Sequence, residues 1–286
     1  MKIPQNKTLL ELNLGLLFIS TSGVMGRYIS MSPPVTVWWR CALGMVFLWM
    51  YCRWSGVSLK VILKRDRLVI FISSFLLVAH WITYFYALHW SNVAIAFITL
   101  YTFPAMTTLL EPLLLKTGFN KFHLLLGVLV LVGVYVMMPD IDLGNSNFLG
   151  MMIGLVSALC FAMRNIYSRD LAQQYDGSHL MWVQLVIGTV LLVPVLFMFE
   201  NNDFTSQWEA LLFLGIVTTA LGHTLFLRSF KYFSISTASL LASIIPIYGI
   251  LLALIFLGEV PSFRTIIGGA LVLSTVVIES FRVRIK

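Results

Sequence analysis

FITLYTFPAMTTLL (residues 97–110) and LLASIIPIYGILLA (residues 240–253) each carry a proline inside an otherwise apolar run. Placing Pro104 over Pro246 and continuing without a gap brings Gly127 onto Gly269. Allowing a residue of slip between helices, earlier positions match in the same order: His80 with His223, Trp38 with Trp182, Gly44 with Gly188 and Arg27 with Arg164. The shared order and the nearly constant offset indicate an internal repeat.

The composition identifies the environment in which these repeats fold. Of the 286 residues, 59% are apolar and only 11% are charged, whereas an ordinary soluble domain has about 25% charged residues. Apolar stretches of about 20 residues recur along the chain, and a helix of that length crosses the hydrocarbon core of a bilayer. Because backbone groups in lipid have to be satisfied within the segment, we expect an all-α polytopic membrane protein with the lipid bilayer as a partner.

Breaks at proline, glycine and charge clusters predict ten spans, five in each half of the chain. The predicted spans are residues 12–30, 35–53, 68–88, 93–115, 122–138, 149–168, 180–199, 210–230, 235–257 and 265–281. The first repeat then covers residues 1–139 and the second covers residues 140–286. Because five is odd, the second copy enters the membrane from the opposite side, and such inverted repeats place a binding site near the midplane between the copies.

The charged residues between the spans predict the orientation. With the N-terminus inside, most lysines and arginines fall in the inner segments, and the outer segments carry Asp140, Asp142, Glu200, Asp203, Glu209 and Glu259. The positive-inside rule therefore places both termini in the cytoplasm, and we expect a plasma membrane, in particular a bacterial inner membrane. The basic residues form no aromatic-interleaved patch, so no nucleic acid partner is expected. The oligomeric state is left open.

Three features together resemble the drug/metabolite transporter superfamily, specifically its ten-span EamA-type members. They are PPVTVWWR (residues 33–40), the paired prolines of the fourth and ninth spans, and FLGEVPSFRTIIGGALVL (residues 256–273). The resemblance covers essentially the whole chain and implies a small metabolite, often an amino acid or related compound, that is moved outward. One departure is that the first repeat has Leu115-Lys116-Thr117 where the second has Leu257-Gly258-Glu259, so any role of that glutamate does not extend to the first repeat.

AHWITYFYALHW (residues 79–90) holds two histidines that helix geometry separates. His80 and His89 are nine residues apart, which places them on opposite faces of one helix. His89 fits an interfacial aromatic belt, whereas the depth of His80 in its span favours a cavity-lining position over a structural interhelical hydrogen bond. Tyr84 follows at i+4 on the same face, and His223 occupies the mirrored position.

Pro104 and Pro246 each remove one helical hydrogen bond and free the carbonyl group four residues earlier, on Leu100 and Ala242. We expect a hinge or a cavity lining at both breaks, in preference to a static packing kink, because equivalent spans carry them. Side chains near these breaks that could meet a substrate are Tyr101 and Ser243.

Arg40 lies some five residues inside the second span and has two possible roles. It could pair with a substrate carboxylate or hold neighbouring helices through their carbonyls, and the second role is favoured. Gln184 aligns with Arg40 and is expected to make a polar contact with substrate or an interhelical bond. Trp38 and Trp182 are expected as flat apolar walls or as interfacial anchors.

The remaining charged residues of the spans bear on energy coupling. Glu111 and Glu279 are the acids inside the predicted spans, and both lie towards the cytoplasmic ends. A midplane without a carboxylate leaves histidine-based proton coupling or uncoupled facilitated passage, of which the second is favoured. For Arg27 and Arg164, near opposite membrane faces, snorkelling to lipid phosphate is one interpretation.

Enzymatic chemistry has little support in the sequence. H-E-x-x-H and G-x-S-x-G motifs are absent, and the scattered Cys41, Cys52 and Cys160 indicate neither a disulfide framework nor a metal site. We expect no catalytic residue, no metal and no cofactor. The predicted function is secondary transport of a small-molecule substrate by alternating access, and a channel or a non-transporting membrane subunit is the alternative.

Overall fold

A computed structural model describes residues 5–59, 62–115, 121–137, 144–199, 203–233, 238–239 and 241–284. Throughout these ranges the regular secondary structure is helical, without a strand. Seven helical segments are long and apolar enough to cross a membrane, and three shorter apolar helices bring the described set to ten. They correspond in order to the ten predicted spans and confirm the predicted fold class. The predicted boundary between residues 139 and 140 lies outside the described residues.

We number these segments span 1 to span 10. The first five contain the helices Gln5–Ser20 and Ser22–Tyr28 (span 1), Pro33–Trp54 (span 2), Arg67–Trp90 (span 3), Val93–Leu100 and Phe103–Leu115 (span 4) and Lys121–Met137 (span 5). The next five contain Ser146–Gln174 (span 6), Gly177–Leu191 and Val195–Met198 (span 7), Trp208–Phe213, Leu214–His223 and Thr224–Ser229 (span 8), Ile245–Leu257 (span 9) and Phe263–Arg284 (span 10). Short 3₁₀ turns, Lys64–Asp66 and Ala242–Ile244, precede spans 3 and 9.

Local signals explain several of the span ends. Pro33 begins span 2, where its missing N–H costs nothing. The side chains of Asn92, Asn145 and Asp176 accept hydrogen bonds from the first free backbone amides of spans 4, 6 and 7. Gly258 ends span 9 with φ 67°, a left-handed conformation that glycine adopts at no steric cost.

The packing of the spans follows the predicted repeat. Span 3 packs most extensively on span 6, and the mirrored pair, span 8 on span 1, is also in contact. The contact of span 2 with span 8 has its counterpart in span 7 with span 3, and spans 2 and 7, 4 and 9, and 5 and 10 pack on one another. This pattern is the one that two five-span copies related by a two-fold axis produce.

Spans 5 and 10 form a pair beside the main core. A methyl group on Gly133 would lie 2.9 Å from the carbonyl oxygen of Gly268, so only glycine allows the two helices to cross this closely. Val130, Val134 and Val272 belong to a separate apolar cluster around this pair. The large core is built from the other eight spans, and it surrounds the candidate site.

Candidate functional site

A cavity lies between the two repeats, among spans 1, 2, 3, 4, 6, 8 and 9 and the 3₁₀ turn before span 9. It is lined by Ile19, Ser22, Arg40, His80, Trp81, Tyr84, Phe97, Leu100, Tyr101, Phe161, His223, Phe226, Ala242 and Ile245. The cavity is small, with a volume of about 20 Å³, which is room for about one water molecule. The exposed fraction is 1% for Arg40 and 3% for both histidines. The polar lining of the cavity is therefore almost completely buried.

Five of the predicted site residues meet in this cavity. Arg40, His80, Tyr84 and Tyr101 come from the first repeat, and His223 comes from the second. The interior position predicted for His80 is thus what the structure has, and His89 is exposed at the C-terminal end of span 3. The side chain of Ser243 lies outside the described residues.

His80 lines the cavity and also ties span 3 to span 6. Its Nδ1 lies 2.8 Å from Ser157 Oγ, and the Ser157 hydroxyl donates to the backbone carbonyl of His80 over 2.9 Å. Because that carbonyl takes the single hydroxyl proton, Nδ1 must donate to Ser157, which leaves Nε2 as an acceptor. The ring stacks on Phe161 with centroids 4.5 Å apart. Both roles considered for His80, lining and interhelical bonding, are present together.

His223 has a different local environment although it is the mirrored residue. It closes the π-helix Leu214–His223, and its buried Nδ1 has no hydrogen-bond partner in the described part of the chain. Its ring packs edge-on against Trp81 at 5.2 Å and Phe161 at 6.5 Å. π-Helical turns are rare and are frequent at functional sites, and here the widened turn ends at the cavity.

Arg40 carries a buried charge for which no acidic partner lies in the cavity lining. Its Nε donates to Thr219 Oγ1 over 2.9 Å, and its Cζ lies 4.0 Å from the centre of the Trp81 ring. Nη1 and Nη2 are buried without a hydrogen-bond partner among the described residues. A desolvated cation–π contact is worth about 2 kcal/mol, whereas removing an ion from water costs several kcal/mol. The favoured expectation, that Arg40 holds helix carbonyls, does not describe these contacts.

The two prolines stand at helix breaks that border the cavity. Pro104 follows the break between Val93–Leu100 and Phe103–Leu115, and Pro246 is in the first turn of Ile245–Leu257. Neither ring is part of the cavity lining, but Leu100 and Ala242, whose ordinary i+4 donors the prolines remove, both line it. The helix breaks therefore border the cavity in both repeats, and a hinge role stays a prediction.

Trp38 and Trp182 lie apart from the cavity lining. Trp38 Nε1 donates to the carbonyl of Thr189 over 3.2 Å, which joins span 2 to span 7. The ring of Trp182 lies nearly parallel to that of His179 at 6.3 Å. Both tryptophans are partly buried helix-packing residues in this state.

Gln184 and Arg164 form a buried polar network outside the cavity lining. Arg164 Nη2 donates to Gln184 Oε1 over 2.7 Å, and Gln184 Nε2 donates to Ser73 Oγ over 3.0 Å. Arg164 is 0% exposed, so snorkelling to lipid phosphate does not describe it. Gln184 therefore makes interhelical bonds, which was one of its two expected roles.

Arg27 belongs to a cluster at the predicted outer face. Its Nε lies 2.9 Å from Glu259 Oε1, and its Nη1 donates to the carbonyl of Leu88. The second oxygen of Glu259 accepts the backbone N–H of Val93 over 2.8 Å. This outer cluster ties span 1 to spans 3 and 4 and to the turn after span 9.

A second cluster lies at the predicted inner face. The Tyr175 hydroxyl donates to Asp66 Oδ2 over 2.7 Å, and desolvation together with this bond raises the pKa of Tyr175. Arg228 donates to Ser178 Oγ over 2.8 Å and lies 3.8 Å from Asp176. This inner cluster joins the turn before span 3, and span 8, to the connection between spans 6 and 7.

Three contributors to the site had no place in the sequence predictions. Trp81 had a usable signal, because it adjoins His80 in AHWITY. Phe161 is the ring shared by both histidines, but nothing in the sequence sets it apart from the other phenylalanines. Ser157 is an ordinary small residue of span 6, and only the packing of span 3 on span 6 gives it a partner. In the part of the chain that is described, no group of His, Cys, Asp or Glu could hold a metal ion.

Known proteins match this chain over nearly its whole length. A model of the EamA-like transporter family matches residues 7–138 and 148–281. An uncharacterized transporter of Archaeoglobus fulgidus is 30% identical over 215 residues, 75% of this chain and 76% of its own. The pseudopaline exporter CntI of Pseudomonas aeruginosa is 23% identical over 241 residues, 82% of each chain. A crystal structure with 18% sequence identity matches with a TM-score of 0.71 over 98% of both chains, which shows the shared fold.

Proposed function

Because the chain belongs to the EamA-like transporter family and is an integral membrane transporter, we propose that it exports a small metabolite by alternating access. The proposed substrate is an amino acid or a related compound, as the family resemblance implies. The relative from Pseudomonas aeruginosa is named as an exporter, which supports the outward direction.

The observation that carries this proposal is the position of the cavity. It lies between the repeats and takes a matched histidine from each, His80 and His223. Inverted-repeat transporters bind their substrate at this interface, near the bilayer midplane. A pore would instead need a continuous polar path, whereas the polar residues of this cavity are almost completely buried.

The outer and inner clusters suggest how access alternates. Opening to the outside requires the Arg27–Glu259 pair to separate, and opening to the inside requires Tyr175 to leave Asp66. Each cluster joins elements of both repeats, so rocking of one repeat against the other would break one cluster and keep the other. The passage is proposed to be uncoupled, because no carboxylate is among the described residues that line the cavity.

Comparative metabolite profiling is the first experiment. Medium from cells with and without the protein should differ in one small group of compounds, and purified protein in liposomes should then transport those compounds with saturable kinetics. Single-channel currents in planar bilayers would instead establish the channel alternative. Transport without saturation would also contradict a carrier.

The candidate site is tested by a matched pair of histidine substitutions. His80→Ala should lower flux at least about tenfold while folded protein stays in the membrane. The reason is that losing a hydrogen bond between the neutral imidazole and the substrate costs about 1.4 kcal/mol or more. His89→Ala, at the exposed end of the same helix, should leave flux unchanged. Equal flux in both variants would remove His80 from the site.

The proposed location is the bacterial inner membrane with both termini in the cytoplasm. A reporter fused after Lys60 should read cytoplasmic, and one fused after Asp142 should read external. The opposite reading at either position would overturn this topology.

A further inference from the structure

The cavity has an unbalanced charge. Arg40 is the one permanently charged side chain among the described residues that line it, since guanidinium does not lose its proton in proteins. The other lining residues are apolar, aromatic, hydroxyl or imidazole, and none is acidic. In the ion pairs of the described chain, arginines at both faces have acidic partners, but Arg40 takes part in none of them. The counter-charge of Arg40 has therefore to come from outside the lining.

The guanidinium is held through its Nε, and its other two nitrogens are unpaired within the described ranges. Thr219 occupies Nε, and the Trp81 ring covers a face of the group. Nη1 and Nη2 are left without a partner in the described structure. A planar carboxylate is the group that pairs with such a fork through two parallel N–H···O bonds.

The rest of the cavity suits an apolar body. Half of the lining residues, among them Phe97, Phe161 and Phe226, have purely apolar side chains. The rings of Phe97, Tyr101, Phe161 and Phe226 form a continuous series of contacts through Phe103. A cationic substrate would add a second positive charge beside Arg40 without an acidic side chain to receive it. Like charges brought together in a low dielectric repel strongly.

We propose that the cavity binds a small carboxylate-bearing molecule with an apolar body, and that Arg40 determines this specificity by pairing with the carboxylate. The inference rests on the proposed transport function for its biological meaning, since it names the substrate class of that same cavity. Cationic compounds and neutral amides are excluded from high-affinity binding. An inorganic anion such as chloride shares the charge but not the planar two-oxygen geometry or the apolar body.

The test measures binding and needs no flux. Purified protein in detergent is titrated with two matched pairs, benzoate against benzamide and hexanoate against hexanamide, and dissociation constants are obtained from the shift in thermal unfolding. In the native protein at least one acid should bind about tenfold or more tightly than its amide, as expected for a charge-assisted pair. Arg40→Gln should bring that ratio to about one, and Arg40→Lys, which keeps the charge but loses the fork, should give an intermediate ratio.

Arg264→Gln is the matched control, because Arg264 is exposed in span 10. This substitution removes the same charge from the chain as Arg40→Gln does. It should keep the native ratio. Three results would overturn the proposal: acids that bind no better than their amides, an acid preference that survives Arg40→Gln, or chloride that stabilises the protein as much as the acids do. If Arg40→Gln does not fold, the native acid-to-amide ratio and Arg40→Lys decide. Carboxylate binding without flux would contradict the transport proposal alone, and flux of a cationic compound would contradict this one alone.

Discussion

The two repeats place the same residue type at mirrored positions and then surround it differently. His80 stands in a regular α-helix and is hydrogen-bonded to Ser157 of span 6. His223 ends a π-helix, and its buried Nδ1 has no partner within the described structure. The repeat thus sets where the two imidazoles lie, while the neighbouring helices decide what each can still bind.

The matched arginines diverge in the same way. Arg27 is an ion-pair residue at the predicted outer face, with 34% of its side chain exposed. Arg164 is completely buried and bonds to neutral partners, Gln184 and Asn165. A two-fold backbone can support two mirror-related states, but side chains that differ between the copies make the site and its two exits chemically unequal.

The largest expected effect comes from removing the neutral partner of Arg164. Gln184→Leu leaves Nη2 buried without that acceptor, and breaking a buried charged contact costs about 3 kcal/mol. The free energy of unfolding should fall by that amount, as measured by thermal unfolding of the purified protein in detergent.

Gln174→Leu is the control for this substitution, because Gln174 accepts a hydrogen bond from Arg65 at an exposed position. Its effect should stay within about 0.5 kcal/mol. Equal stability of the two variants would mean that the buried Arg164–Gln184 bond contributes no more to stability than the exposed Arg65–Gln174 bond.

An intermediate effect should separate the two histidines. His80→Phe keeps ring packing but removes the bond to Ser157, so stability should fall by about 1 kcal/mol. His223→Phe removes no hydrogen bond that the described structure contains, so stability should be unchanged or slightly higher. Flux of the identified substrate should fall at least about tenfold in both variants, because both lose an imidazole from the cavity.

Stability and flux are both measured for His80→Phe and for His223→Phe, and the two variants are compared. If His223→Phe is destabilised as much as His80→Phe, the two imidazoles are equivalent and the asymmetry between the repeats is wrong. Full flux in His223→Phe would make its unpaired nitrogen irrelevant to transport.

The smallest effect is expected at the outer cluster. Glu259→Gln should cost at most about 1 kcal/mol, because the pair is partly exposed and water screens it. If this pair holds the outer side closed, the same energy raises the population of the outward-open state by about fivefold at most. The measurement is the labelling rate of Ser22→Cys by an impermeant maleimide, with the three native cysteines replaced by alanine.

Arg169→Gln removes an ion pair with Glu111 at the predicted inner face and serves as the control. It should leave external labelling of Ser22→Cys unchanged. An equal increase in both variants would mean that the outer pair does not act as the external closure.

Residues that the repeat identifies were easier to predict than residues that only packing selects. His80 and His223 were found because polar groups deep in a span are costly and because the alignment paired them. Trp38, Trp182 and Gln184 satisfied similar sequence criteria, yet they pack between helices, since the rotation of spans 2 and 7 about their axes is not visible in an apolar sequence. Phe161 and Ser157 gave no signal, because their importance comes from the helix that happens to face them.

Sequence alone determined the ten spans and the repeat, because lipid imposes a fixed span length. It also placed both prolines at the backbone breaks, since proline lacks the donor that a helix needs. Only the tertiary structure decided that Arg40 meets Trp81 and Thr219 and has Nη1 and Nη2 unpaired among the described residues, that Arg164 is buried, and that the two histidines differ. Those outcomes depend on helix rotation and on which neighbours approach, and uniformly apolar spans of similar hydrophobicity do not encode them locally.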